Sequence, residues 1–360
     1  MRYKLFGRSG LRVSELCLGA MTFGESWGGA NFGWSDGRDA AKAIFDAYAN
    51  AGGNFIDTAD MYADGESERR VGEFIASDRD HFVVATKYSM NMEGDIAKSG
   101  NSRRHMLRSV ERSLKRLNTD RIDLYLLHAW DYTTPVDEIM RAFDDLVRAG
   151  KVQYIAISDA PAWRISEANM LATLRGWTAF SGIQLEYNLT ERTAERDLLP
   201  MARVHDLAVM IWAPLAAGVL SGKYRAQPGK GRQVGRPIPE RSLQIGDLVC
   251  AIAAECGASP SQVALAFLRQ QSERYGTLIP IVGARTVEQL ADNIGCLNLT
   301  LSPEHMAKLD AATAIQMGFP HDMLAMDFIR GVTHGMQVQR LDNNRPEAAA
   351  RRIGGNTNGQ

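Results

Sequence analysis

Short apolar runs alternate with longer segments of mixed polarity over residues 16–300. Eight of the short runs read as strands. They are 16–20 (LCLGA), 55–59 (FIDTA), 82–88 (FVVATKY), 122–129 (IDLYLLHA), 152–158 (VQYIAIS), 182–188 (GIQLEYN), 208–215 (AVMIWAPL) and 278–283 (LIPIVG). Their almost unbroken hydrophobicity predicts parallel strands covered on both faces. Helical spacing marks the segments between them. Residues 102–118 put Met106, Leu107, Val110, Leu114 and Leu117 inward and arginines outward. Residues 135–150 follow Thr134 as an N-cap, start on Pro135 and close on Gly150. Ser259 and Gln262 have capping-box spacing at the head of a third helix. Strand and helix alternate about eight times, which favours a closed (β/α)8 TIM barrel, although open doubly wound sheets share the alternation. The opening stretch from Tyr3 reads as a β-hairpin turning at Arg8-Ser9-Gly10 and closing the bottom of the barrel.

Three segments break this rhythm. Residues 24–37 are rich in Gly and Trp, and 218–240 in Gly, Pro and basic residues; loops of this length suggest function. From about residue 340 the chain has too few apolar side chains to pack. The expected organisation is one barrel domain over 1–320 and a C-terminal extension over 321–360, partly disordered from about 340.

Composition narrows the function. Of 360 residues, 45% are hydrophobic and 23% charged, with 41 Lys and Arg against 42 Asp and Glu. Charge balance gives no reason to expect nucleic acid or anionic lipid as a partner. Neither a signal peptide nor a long apolar run stands out, so the expected location is the cytoplasm, away from membranes. Cys17, Cys250, Cys256 and Cys296 lack CxxC spacing or His clustering, and read as free, buried thiols with no metal.

Barrel enzymes place their chemistry at the C-terminal ends of strands. Here Asp57 lies in FIDTA with Tyr62 five residues on, Lys87 ends VVATK and His128 ends LYLLH. Each alone has an ordinary reading: a backbone-bonding carboxylate, a solvent-seeking lysine, a satisfied core histidine. Charged groups at apolar strand ends incur a desolvation penalty unless paired. Three successive strands supplying groups that can satisfy one another point to one site.

These residues sit in segments that resemble the aldo-keto reductase superfamily over about residues 1–320. The segments are LGAMTFG, NFIDTADMYADGESE, VATKY, DLYLLHAWD, IAISDA, IQLEYN, WAPLAAGVLSGKY and IVGARTVEQLADN. The branches most similar in style include bacterial stress-type reductases, aryl-alcohol dehydrogenases and potassium-channel beta subunits. The resemblance implies a catalytic tetrad of Asp57, Tyr62, Lys87 and His128. Tyr62 would donate a proton to a carbonyl oxygen, Lys87 would lower its pKa, Asp57 would hold the lysine and His128 would orient the carbonyl. The implied cofactor is NADPH (NADP+) and the implied reaction is reduction of aldehydes or ketones to alcohols, with no metal.

No GxGxxG occurs, which reads against a Rossmann site and suits this family. By resemblance, Met21 and Asp57 border the nicotinamide, Ser158, Asp159 and Gln184 hold its carboxamide, and Trp212 stacks on its ring. Many relatives carry Asn where this chain has Asp159. Ala213, Pro214, Leu215, Ala216 and Lys223 would line the pyrophosphate channel under a strap from 218–240. Gly283, Arg285, Gln289, Asp292 and Asn293 would meet the adenosine end, with Arg285 on the 2′-phosphate.

Phe23, Trp27, Tyr88, Met90 and Trp130 are expected at the substrate mouth, with GFPHDML from Gly318 nearby. Such a lining suits aryl, aliphatic or cyclic-ketone carbonyls, and the chain is expected as a monomer or small homo-oligomer. The rival reading is an NADPH-binding, redox-sensing subunit of the channel type. The hairpin's start almost at Met1 reads against it.

Overall fold

The structure is a computed structural model that describes residues 1–25, 37–226, 237–343 and 345. Trp27, most of the 24–37 loop, much of the 218–240 loop and most of the tail expected to be disordered lie outside the described residues. Strands β1 (Tyr3–Leu5) and β2 (Arg12–Ser14) form an antiparallel hairpin. The eight predicted strands follow as β3 (Cys17–Gly19), β4 (Phe55–Asp57), β5 (Val83–Tyr88), β6 (Ile122–Leu127), β7 (Val152–Ser158), β8 (Gly182–Glu186), β9 (Ala208–Trp212) and β10 (Leu278–Val282). All neighbours are parallel, and β10 pairs with β3 to close the barrel.

Helices α1 (Arg38–Asn50), α2 (Glu66–Ile75), α3 (Arg103–Leu117), α4 (Val136–Arg148), α5 (Ala162–Arg175) and α6 (Leu198–Val204) cover the first strands. The short α7 (Lys223–Ala226), then α8 (Glu240–Cys256), α9 (Pro260–Gln270), the one-turn α10 (Ser272–Tyr275), α11 (Val287–Gly295) and α12 (Pro303–Thr313) complete the ring. Beyond it stand α13 (His321–Ala325) and α14 (Asp327–Thr333). Among the described residues, no single helix is long and apolar enough to cross a membrane.

Two apolar layers explain the unbroken strand hydrophobicity. The inner layer includes Phe55, Val83, Ala85, Leu124, Leu126, Ala208, Met210 and Ile279. Alternate residues such as Ile56, Val84, Tyr125, Ile157, Ile183 and Val209 face the helices. The hairpin plugs the bottom of the inner layer with Phe6 and Val13. Phe6 meets Phe55 edge-on at 5.8 Å. A Cβ on Gly182 would lie 2.5 Å from the Phe6 ring, so this strand position must be glycine for the plug to seat.

The capping-box signal held at Ser259 and Gln262 on α9, and the structure adds a cap at Ser102 on α3. Leu107 and Leu114 of α3 are only half-buried. The Thr134 cap is corrected: α4 starts at Val136 after Pro135, and the Thr134 hydroxyl instead donates to Asp131. Asp131 also accepts the amides of Thr133, Thr134 and Asn101, which fixes the turn before α4, while the helix itself starts without a side-chain cap.

Because Phe6 is fully buried under the inner layer, Phe6→Ala should cost about 3–5 kcal/mol by urea denaturation. Phe6→Leu should cost less than half of that; equal losses would argue against a packing role.

Candidate active site

Strand alternation places the polar residues. Inward residues at the mouth end of successive strands are Asp57 on β4, Lys87 on β5, Ser158 on β7, Gln184 on β8 and Trp212 on β9, with His128 directly after β6. Below five of these six lies an apolar inner-layer residue, Phe55, Ala85, Leu126, Ala156 or Met210, and below Gln184 lies Gly182, against which Phe6 packs. The strand period of two thus gathers residues far apart in the chain into one ring.

Lys87 is completely buried. Its ammonium donates to Asp57 Oδ2 at 2.8 Å, to the Thr58 carbonyl at 2.8 Å and to the Tyr62 hydroxyl oxygen at 3.3 Å. A lysine has three N–H donors, and all are used. The other Asp57 oxygen accepts Gln184 Nε2 at 2.8 Å. Tyr62 arrives on a 3-10 turn (Tyr62–Gly65) after β4, where Ala63 and Asp64 take left-handed conformations. The His128 ring meets the Tyr62 ring edge-on at 5.7 Å.

Burial alone would strip the Lys87 proton, but Asp57 and then Tyr62 raise its pKa above the ordinary lysine value. Burial, reinforced by the Lys87 charge, holds His128 well below the usual histidine range, so the imidazole is neutral. Burial also pushes the Tyr62 phenol up. Lys87 pulls it down without prevailing, and Asp57 adds to the rise. Lys87 thus lowers the Tyr62 pKa as expected, but desolvation of the phenolate outweighs this one cation, whose charge is already matched by Asp57, and the net direction is upward.

The Aldo/keto reductase family model matches residues 15–314. The chain belongs to this family. It is 38% identical to an aldo-keto reductase of Aspergillus calidoustus, over 91% of this chain and 85% of that protein. It is also 38% identical to an aryl-alcohol dehydrogenase [NADP(+)] of Phanerodontia chrysosporium, over 87% and 86% respectively. Identity to a norsolorinic acid reductase of Aspergillus flavus is 37%, over 89% and 83%.

For an aldo-keto reductase, the residues expected on the cofactor side fall into two groups. At the mouth, Ser158 is buried with its hydroxyl beside the Asp159 carboxylate, while Gln184 has one amide hydrogen on Asp57. Asp159, with φ +46°, accepts Trp212 Nε1 at 3.1 Å and so tethers that ring. Loss of surrounding water raises the Asp159 pKa, against the pull of the Trp212 N–H. Met21 and Leu215 are half-buried, Pro214 is buried, and Ala213 and Ala216 are left-handed. The Lys223 side chain folds so closely over Gly218 that a Cβ there would meet it at 2.4 Å.

In the second group, Arg285 is exposed beside the N-terminus of α11, and its amide donates to Gln289 Oε1 at 2.9 Å. Thr286 caps the helix, and buried Asn293 donates to the Gly283 carbonyl at 3.4 Å. A Cβ at Gly283 would meet no protein atom within 4 Å, so internal packing does not demand glycine there. Asp292 already has partners within the protein. Its carboxylate accepts Ser259 Oγ at 2.9 Å and Gln262 Nε2 at 3.0 Å, which joins it to the α9 capping box.

On the substrate side, Phe23 and Tyr88 are corrected. Phe23 is fully buried against Phe74, with ring centroids 6.1 Å apart. Tyr88 follows inward-facing Lys87 and so points outward, stacked on Tyr125 at 5.4 Å. Its hydroxyl donates to the Asn101 carbonyl. Trp130 is nearly buried, with the Arg164 guanidinium 5.6 Å from its ring, and Met90 is exposed.

Sequence reading missed Thr58, whose carbonyl takes the third Lys87 donor, and Glu186. The Glu186 pKa is raised by burial and by Glu191, and its side chain accepts Asn188 Nδ2 at 3.4 Å. The signal for Glu186 was present, since it stands two residues from Gln184 and shares its face. A backbone carbonyl such as that of Thr58 leaves no sequence signal.

With its folded pKa below the unfolded value, His128 binds a proton only when the chain unfolds. It therefore takes away stability as pH falls below about 6.5, by up to ~1.4 kcal/mol per pH unit. Its ring resonances should stay constant in NMR spectra between about pH 5 and 8. A midpoint near 6.5 would contradict the burial argument.

Proposed function

We propose that this chain is an NADPH-dependent reductase of aldehyde and ketone carbonyls, with residues 1–320 as its catalytic unit, working in the cytoplasm. One observation carries the reading. A buried chain of hydrogen bonds, Gln184–Asp57–Lys87–Tyr62, ends on a phenol at the barrel mouth beside a neutral imidazole.

In this reading Tyr62 gives its proton to the carbonyl oxygen. Lys87 donates to the phenol oxygen, so it stabilises the negative charge that develops there without taking up the phenol's own proton. Asp57 keeps the buried ammonium charged and fixed. Gln184 holds the second Asp57 oxygen, so the carboxylate cannot rotate away. Neutral His128 offers an uncharged N–H to the carbonyl oxygen and competes less with Tyr62 as an acid than imidazolium would. Bound NADPH supplies the hydride.

The residues present suit that cofactor. Buried Ser158 Oγ falls outside close hydrogen-bond geometry to any neighbour and has only the Asp159 carboxylate nearby to interact with, so a carboxamide would improve its bonding. The exposed Arg285 guanidinium stands by a helix N-terminus, a favourable place for a 2′-phosphate. The open space at Gly283 lets a ligand approach the backbone. Two relatives are named for aryl alcohols and for norsolorinic acid, so aromatic carbonyls come first among candidate substrates, followed by aliphatic aldehydes and cyclic ketones.

The raised Tyr62 pKa sets a pH dependence. The phenol stays protonated at neutrality, so kcat/KM for reduction should be flat between about pH 6 and 8. Alcohol oxidation needs the phenolate and should rise about tenfold per pH unit. Tyr62→Phe should bind NADPH with unchanged affinity and lose at least ~100-fold in turnover of an aryl aldehyde panel. Full activity in that variant would remove Tyr62 as the donor.

Arg285→Ala should weaken NADPH roughly tenfold or more in a fluorescence titration and leave NADH within about twofold. Equal losses for both nucleotides would place the 2′-phosphate elsewhere.

A further inference from the structure

Beyond the barrel the chain forms an arm, residues 318–341, that contains α13 and α14. Its root is tied down: Arg196 donates to the Gln316 carbonyl, Arg241 to the Ala314 carbonyl, and His321 lies 3.4 Å from Asp197. Past His321, among the described residues, the arm's hydrogen bonds and ion pairs stay within the arm. Asp322 accepts the Gly318 amide, Thr333 and His334 bond back to α14 carbonyls, and Arg330 pairs with Asp327. Polar groups are thus satisfied locally while the apolar ones are not. Phe319 is 83% exposed and Phe328 71%, joined by Met323, Met326, Met336 and Leu341.

Two physical arguments say that something covers this arm. Helices of five and seven residues are far below the ~12–15 at which isolated helices become even marginal in water, so tertiary contact must hold them. The exposed apolar side chains also present on the order of 700 Å², counting ~150–250 Å² for a whole aromatic side chain. Summed along the arm, that approaches the ~800 Å² per partner of a standard interface.

We propose that the arm of one chain docks on the same arm of a second copy, making a two-fold dimer centred on Met326 and Phe328. Charge favours self-association over a charged partner: Asp322 and Asp327 are balanced by Arg330 and Arg340. Two copies therefore meet without like-charge excess, and an isologous contact closes after two chains. The proposal does not depend on the catalytic reading, and its test uses no turnover.

Sedimentation velocity of the full chain should give twice 39.6 kDa at micromolar concentration, with dissociation on dilution. A Met326→Glu/Phe328→Glu variant should raise the dimer Kd roughly 100-fold or more. Truncation after Gln316 should give a single-chain species with an unchanged barrel melting curve. Amides of 327–333 should exchange slowly in the dimer and quickly on dilution. A wild-type chain of single mass over the whole range overturns the proposal, as does a dimer that survives both changes. A single chain whose arm amides are nevertheless protected assigns the arm to its own barrel and overturns it too.

Discussion

The burial of one ammonium group governs the rest of the site. Lys87 has no contact with solvent, and its charge is retained because Asp57 sits 2.8 Å away and because oxygen partners take all three of its N–H groups. Removing either member of such a pair leaves an uncompensated buried charge, at a cost of roughly 3–5 kcal/mol. The pair is therefore weak evidence of stability and strong evidence of constraint. It fixes the Tyr62 oxygen from one side and Gln184 from the other, and its positive end helps keep His128 neutral.

The barrel makes this arrangement attainable. A closed parallel sheet has an inner layer dry enough to strengthen electrostatic contacts, and side chains at adjacent strand ends lie close enough to bond. The hairpin plug at Phe6 keeps the bottom apolar, so polar groups gather only at the mouth. Left-handed residues cluster at that rim too, at Ala63, Ser89, Asp159, Ala213 and Ala216. Such conformations persist only where surrounding packing enforces them, and they concentrate at functional sites.

Most misplacements in reading the sequence arose from treating residue type as position. Phe23 and Tyr88 are aromatic and close in sequence to the mouth, yet both face the helices. For Tyr88 the correct side was legible, because inward Lys87 forces its neighbour outward. For Phe23 it was not, because its loop direction depends on packing against Phe74 of α2. The bonds from Asp292 to the capping box of another helix left no trace in the local pattern.

Local periodicity was enough to determine the eight strands, their two-sided burial, the bottom hairpin, the capping box at Ser259, and which strand ends carry polar groups. These depend on residues a few positions apart. Tertiary structure alone decided which oxygens satisfy Lys87, that Trp212 is tethered by Asp159, and that the Tyr62 pKa rises. Each of those depends on the summed burial and charge of neighbours drawn from several strands, and no spacing along the chain encodes that sum.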